Sequence, residues 1–341
     1  MIHAPRVAAV AVAALLTVGL AACSSSSTPE AQSADGDWTP VTIEHALGTT
    51  TIESKPDRVA TVNWANQEVP LALGVVPVGM AAANFGDDDG DGVLPWVQQK
   101  LEDLDAPTPV LFDETDGVDF EAVADTDPDV ILAAYSGLTQ EDYDQLSEIA
   151  PVVAYPDTAW GTPWRDMIEV SSTALGMGDE GRQLITDLDR QIDESVANHP
   201  DIAGKSAMFL THIDTTNLSE VSFYTTHDTR TMFFEDLGMT TPASVAAASA
   251  ETDKFSLTRS AEQADAFNDV DIIVTYGGDE LTNALKADPL LSQMPAVVNN
   301  SIVSLPTDGP IGTASNPTPL SISWVLDDYL DRLDQAADQA Q

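Results

Sequence analysis

Two stretches of this chain can be laid on one another without a gap: Phe120-Glu-Ala-Val-Ala-Asp-Thr-Asp-Pro-Asp-Val-Ile-Leu-Ala-Ala-Tyr135-Ser-Gly137 and Ala261-Glu-Gln-Ala-Asp-Ala-Phe-Asn-Asp-Val-Asp-Ile-Ile-Val-Thr-Tyr276-Gly-Gly278. Glu121 falls on Glu262, and Tyr135 falls on Tyr276. Each copy reads as a short helix, a turn and a buried apolar strand, Val130–Ala134 and Ile272–Thr275. Each strand stops at an aromatic followed by a small pair.

The correspondence extends outward. Downstream, Leu146-Ser-Glu-Ile-Ala-Pro-Val-Val parallels Leu291-Ser-Gln-Met-Pro-Ala-Val-Val, which leads to a strand over Ser301–Leu305. Upstream, a strand at Arg58–Val62 leads to a helix ending Leu71-Ala-Leu-Gly74. A strand at Ser206–Thr211 leads, through a longer excursion, to Phe233-Phe-Glu-Asp-Leu-Gly238. Glycine after the last apolar turn is a helix stop in both. Strands alternating with helices build parallel sheets covered on both faces. The pattern occurring twice predicts an α/β chain of two Rossmann-like lobes, over 41–165 and 204–341, with a linking helical segment over 166–203. Within that segment Leu184, Leu188, Ile192 and Val196 recur every four residues between Gly178 and Pro200. They predict one helix over Asp179–His199, about 30 Å long. Ligands of open α/β sheets sit at the carboxyl ends of the strands, so facing lobes predict a cleft there.

The chain has 341 residues, 13 Lys+Arg against 56 Asp+Glu and a net charge of −43. That balance excludes phosphate-backbone binding to nucleic acid, which needs cations, and a polybasic membrane surface. The single cysteine excludes a disulfide framework. Arg6, the apolar run Val7–Leu20 and the small residues before Cys23 have the layout of an export signal over 1–22. Fourteen apolar residues reach about 21 Å as a helix, short of the roughly 30 Å bilayer core, so a permanent span is not expected. Leu20-Ala-Ala-Cys23 resembles a lipobox, which implies cleavage before Cys23 and its acylation; the other reading is an ordinary signal in which Cys23 is incidental. Residues 23–40, rich in Ser, Ala and Asp, read as a flexible tether.

Lys55-Pro-Asp-Arg-Val-Ala60, Glu68 with Ala72-Leu-Gly74, Asp127-Pro-Asp-Val-Ile131, and Leu290-Leu with Pro295-Ala-Val resemble landmarks of one family. It is the two-lobed periplasmic-binding-protein family with a single rigid linking helix, in particular the substrate-binding lipoproteins of iron–siderophore ABC importers. The resemblance covers essentially the whole mature chain. It implies an exported, monomeric receptor on the outer face of the cytoplasmic membrane of a Gram-positive or actinobacterial cell. Its partners would be a ferric siderophore, an ABC permease pair with its ATPase subunits, and the membrane through a lipid on Cys23. Iron would enter only as part of the bound chelate. Haem and cobalamin receptors share the scaffold and stand as alternatives. In the family, one glutamate from each lobe pairs with permease arginines, which the resemblance carries onto Glu121 and Glu262. The strong acidity and the Asp87–Gly92 insertion depart from the family pattern.

Strand ends supply the candidate cleft residues. Trp64 and Asn66 follow the first strand, Asn84 and Phe85 follow Val75–Ala82, and Tyr135 and Tyr276 end the duplicated strands. Trp160, Trp164 and Arg165 lie at the hand-over to the linking segment; Tyr224, His227 and Arg230 lie in the long excursion. Aromatic faces suit the apolar rim of a ferric chelate, and guanidinium or phenol donors suit its metal–oxygen core. Arg165, Arg230 and Arg259 are the candidate anion partners: a catecholate calls for at least two converging, a neutral or cationic hydroxamate for one. His227 is the first candidate for an axial haem ligand. The sequence shows no serine-hydrolase elbow, zinc-protease motif, phosphate loop or dinucleotide fingerprint. A secreted hydrolase with paired carboxylates remains the reading from a different class, and would need a deep pocket holding two acids of opposed proton affinity. Asp87-x-Asp89-x-Asp91-Gly92 matches the first half of a calcium loop. Gln98 occupies its last ligand position, however, and Pro95 interrupts it.

Overall fold

The structure is a computed structural model that describes residues 38–307 and 309–340. The signal segment and Cys23 lie outside the described residues. The described residues open with a hairpin, β1 (Val41–His45) antiparallel to β2 (Gly48–Ile52), which turns Ile43 and Ile52 inward and its alternate residues outward. Trp38, expected within the tether, is packed: its indole donates to Ile52 O at 3.2 Å.

Five parallel strands form the first sheet: β3 (Val59–Thr61), β4 (Gly79–Ala81), β5 (Val110–Phe112), β6 (Val130–Leu132) and β7 (Val152–Val153). Their order is β5-β4-β3-β6-β7. The chain winds from β3 outward through β4 and β5, then returns to the other side of β3, so the topological switch lies between β3 and β6. Both of these strands are buried at every position, as parallel strands covered on two faces require.

The second lobe repeats this core. In it β8 (Ala207–Phe209), β11 (Ile272–Tyr276) and β12 (Ile302–Leu305) lie parallel in the order β12-β11-β8, the counterpart of β7-β6-β3. The duplicated strand lies between two neighbours in each, β6 between β3 and β7 and β11 between β8 and β12. The long excursion contributes an antiparallel pair, β9 (Glu220–Tyr224) with β10 (Ser256–Ser260), where only parallel strands were expected. Their exposed Glu220, Ser260 and Thr258 show the one-sided solvation that antiparallel pairing tolerates.

Between the sheets runs a helix over Gly178–Val196, close to the expected range. At 19 residues it is about 28 Å long. It buries Leu188 and Ile192 between the preceding helix, Trp164–Ala174, and the final helix, Ser321–Ala337. Gly181 permits the first approach, because a Cβ there would sit 2.1 Å from Ser172 Oγ. The final helix buries Ile322, Val325, Leu326, Tyr329, Leu330 and Leu333, a stripe at helical spacing. One apolar cluster therefore runs from Val69 and Trp96 through Ile168 and Ile192 to Phe209 and Leu326. It crosses the joint without a break. No described helix is long and apolar enough to cross a membrane.

Candidate functional site

The first-lobe wall of the cleft is set at the switch point. Asn66 is fully buried in the turn after β3; its Nδ2 donates to Val62 O at 2.7 Å and Tyr135 O at 2.9 Å, and its Oδ1 accepts from Tyr135 N. Asn63 does the same one step out, accepting from Gly137 N at 3.1 Å. These two amides stitch the ends of β3 and β6 together and aim Trp64 and Tyr135. Asn66, a candidate for ligand contact, is thereby committed to the backbone, because four adjacent peptide groups compete for its one carboxamide. Gly137 admits Trp160, whose indole Nε1 lies 2.2 Å from where a Cβ would stand.

Trp64, Asn84, Phe85, Tyr135 and Trp160 of the first lobe then face Tyr224, Asp228, Arg230, Phe255 and Asn316 of the second across a cavity of about 280 Å³. Tyr135 spans it. Its hydroxyl accepts from Asn316 Nδ2 at 3.2 Å, and Asn316 Oδ1 accepts from Thr229 Oγ1 at 2.6 Å. Tyr276 joins through its neighbours: its hydroxyl accepts from Arg230 Nε at 3.0 Å, its ring stacks on His212 at 4.4 Å, and Phe85 meets it edge-on. Tyr135 thus lines the crevice, whereas Tyr276 stands behind Arg230 and does not line it.

Arg230 is the charged centre. Its Nη1 donates to both oxygens of the buried Asp228 at 3.0 and 2.8 Å, and its Cζ lies 4.3 Å from the Tyr224 ring centroid. Burial works against the guanidinium charge, but Asp228 and the surrounding tyrosines outweigh it and hold the pKa well above the usual value. Burial also pushes the Tyr224 and Tyr135 hydroxyls up, keeping both protonated and able to donate. Burial, helped by Arg230, pushes His212 down, so its imidazole is neutral at pH 7. Among the described residues Arg230 Nη2 makes no hydrogen bond, which leaves one guanidinium nitrogen for an oxygen acceptor in the cleft.

Four other candidates lie elsewhere. Trp164 is buried, with its Nε1 donating to Asp236 at 2.9 Å. Arg165 stacks over that indole and is shared between Asp189 and Asp236. Both residues tie the linking helices to the second-lobe helix Thr229–Asp236 rather than facing a ligand. Arg259 sits on β10, paired with Glu251 at 3.0 Å. In so acidic a chain, intramolecular carboxylates capture arginines that sequence position alone leaves free. His227 lines a separate cavity with Asp157, Asp166 and Met232, away from the axial position expected of it. Asp228, His212, Phe255 and Asn316 were not anticipated. An aspartate two residues before Arg230 fits a helix cap, and its Oδ1 does accept from Arg230 N, so Asp228 alone carried a local signal.

Glu121 and Glu262 are both exposed in first turns, behind the caps Asp119 and Ser260. Glu121 opens an α-helix, Phe120–Asp125, whereas Glu262 opens a 3₁₀ segment, Ala261–Phe267. Asp87, Asp89 and Asp91 each bring a carboxylate oxygen within 4.8 Å of the others. The loop's own amides already use them: Gly90 and Gly92 donate to Asp87, Asp91 to Asp89, and Val93 to Asp91.

Residues 59–308 match the periplasmic binding protein family. A probable siderophore-binding lipoprotein, YfiY of Bacillus subtilis, is 30% identical over 177 residues, 51% of this chain and 50% of that protein, so the match spans about half the length of that relative. The ferric enterobactin-binding periplasmic protein FepB of Escherichia coli is 26% identical over 288 residues, 80% of this chain and 85% of that protein. Among solved structures, Streptococcus pneumoniae PiaA in complex with ferrichrome superposes with a TM-score of 0.85 at 43% identity. The match covers 88% of this chain and all of that one. A duplicated α/β core, a stiff joint and a family match over most of the chain lead to one conclusion: this chain belongs to the periplasmic binding protein family.

Proposed function

We propose that this chain is an exported receptor that captures a ferric siderophore between its lobes and hands it to an ABC importer, with no bond made or broken. The observation that carries the reading is the cleft itself, where aromatic faces from both lobes surround the one unengaged nitrogen of Arg230. Indole and phenol faces pack on the apolar periphery of a chelate, and the guanidinium meets the oxygens around the metal. Among the described residues Arg230 is the single arginine lining the cleft, which favours a neutral or cationic hydroxamate over a highly anionic catecholate. The likeness to a ferrichrome-binding protein supports the same choice. A net charge of −43 then attracts a cationic hydroxamate and does not oppose a neutral one. The continuous core across the joint supports a largely preformed cleft, which keeps the ordering cost of binding low.

Docking to the permease through Glu121 and Glu262, and anchoring through a lipid on Cys23, complete the reading. Titration of tryptophan fluorescence tests it, because Trp64 and Trp160 line the cleft. Ferrichrome should quench strongly, and a ferric catecholate, ferric citrate, haem and cobalamin weakly. Quenching by haem with no response to any ferric chelate would overturn the proposal. Glu121→Ala with Glu262→Ala should abolish uptake while leaving quenching intact.

A further inference from the structure

A second cavity, of about 360 Å³, opens beside the cleft at the carboxyl ends of the first-lobe strands. The two share Trp64, Asn84 and Trp160 as common walls, so a group bound in the cleft can extend past the indoles into it. Its wall mixes apolar side chains, Met80, Leu94 and Val97 among them, with polar ones, and among the described residues no lysine, arginine or histidine lines it. Two acceptors do. Gln67, 6% exposed, has a buried Oε1 with no partner. Glu114 follows β5; its Oε2 accepts from Asn63 N at 2.9 Å and Asn63 Nδ2 at 3.1 Å, while its Oε1 is buried and unpartnered. A buried acceptor left unpaired carries a desolvation cost, and two in the wall of one cavity constitute a demand for donors.

We propose that this cavity is a second subsite for the captured chelate, in which Glu114 and Gln67 accept hydrogen bonds from an ammonium at the end of one arm. The inference rests on the siderophore-receptor reading above and adds to it a preference for hydroxamate chelates with an ammonium-ended arm. Charge argues the same way. The other ionisable groups facing this region are Asp119, whose charge acts on Glu114, and Asp142, which lines the cavity and is held by Thr139. Both are acidic, so they favour an entering cation. Burial, with a smaller push from Asp119, raises the Glu114 pKa to about 7 against the bonds from Asn63. An ammonium placed beside it would draw it back to the ionised form.

Two ferric chelates that differ only in this arm provide the test: ferrioxamine B, a linear trihydroxamate ending in a primary ammonium, and its N-acetyl derivative. Ferrichrome, which has no ammonium, is titrated alongside. Wild-type protein at about pH 8 should bind ferrioxamine B roughly tenfold or more tighter than the acetylated chelate, the scale of one charge-assisted hydrogen bond. In Glu114→Gln the ratio should fall to about one. A ratio within one protein is insensitive to a change of fold that weakens both chelates alike. If Glu114→Gln does not accumulate, the wild-type ratio at about pH 5.5, where the carboxyl is protonated, should show the same collapse. A wild-type ratio near one, or a ratio unchanged by both the substitution and the acid, overturns the subsite. Quenching by ferrichrome without discrimination between the ferrioxamines overturns the subsite alone. Silence towards all three overturns the receptor reading as well.

Discussion

Glu68 offers a test of how the lobes are held. It lies in the first turn of the helix Glu68–Ala72 and is fully buried. Its Oε1 accepts from Trp96 Nε1 at 2.7 Å; its Oε2 accepts from Leu320 N at 2.9 Å and, weakly, from Ser321 N at 3.4 Å. One first-lobe carboxylate therefore caps the helix that packs against the linking helix and the second sheet. Burial pushes its pKa up, against the donors from Thr318, Trp96 and the two amides. All the named N–H partners donate, so a carboxamide of equal size cannot serve them: its NH₂ must face either the indole N–H or the helix amides. Losing one hydrogen bond to a charged group and leaving a donor unpaired costs about 2–3 kcal/mol, which sets the expectation for Glu68→Gln. Glu68→Ala, which orphans every partner and leaves a cavity, should cost about 3–5 kcal/mol. Urea unfolding reads both as shifts in midpoint at constant slope. Small-angle scattering should show a larger radius of gyration for Glu68→Ala in the chelate-free protein. A Glu68→Gln midpoint equivalent to less than about 0.5 kcal/mol from wild type would refute the reasoning, since it would mean that the partners are satisfied without a carboxylate.

Arg230→Gln should destabilise the fold by about 3–5 kcal/mol, because Asp228 is buried and loses its counter-charge. Adding Asp228→Asn should recover part of that loss without restoring chelate quenching, a separation measurable in one set of urea and fluorescence titrations. Glu114 has a folded pKa raised from 4.5 to about 7, so its native form holds a proton that the unfolded chain has released in that interval. Its contribution to stability is therefore greatest below pH 4.5, declines as pH rises to about 7 and is flat above. Glu114→Gln should accordingly match wild type in acid and exceed it by about 1–3 kcal/mol above pH 7, which melting curves across pH will show. Gly137→Ala should displace the Trp160 indole and lower chelate affinity at least tenfold, with little change in the affinity of Arg259→Ala run as a control outside the cleft.

The duplicated stretch predicted the fold because its information is local. An apolar run of four or five residues ending at an aromatic becomes a parallel strand wherever helices cover both faces, and repeating the run repeats the lobe. The joining helix was equally legible, since Leu188 and Ile192 at helical spacing need a surface to bury against whatever its identity. Strand ends also placed Trp64, Asn84, Phe85, Tyr135 and Tyr276 near a cleft, because the carboxyl edge of a parallel sheet is where its loops emerge. The antiparallel pair β9–β10 escaped notice, as its register depends on a partner some 36 residues away.

Partnership at a distance is what the tertiary structure alone decided. Arg165, Arg230 and Arg259 look alike along the chain. They differ because Asp236 and Asp189 reach the first, Glu251 reaches the third, and Asp228 with Tyr276 leaves a nitrogen of the second free. Glu68, Glu114 and Gln67 carry no local signal either; burial gives each its character, closing Glu68 onto a helix end and leaving Glu114 and Gln67 with acceptors unfilled. Hydrophobic periodicity is written in neighbouring residues and survives in a one-dimensional reading. Charge pairing and desolvation depend on distances through space, and those exist only once the chain has folded.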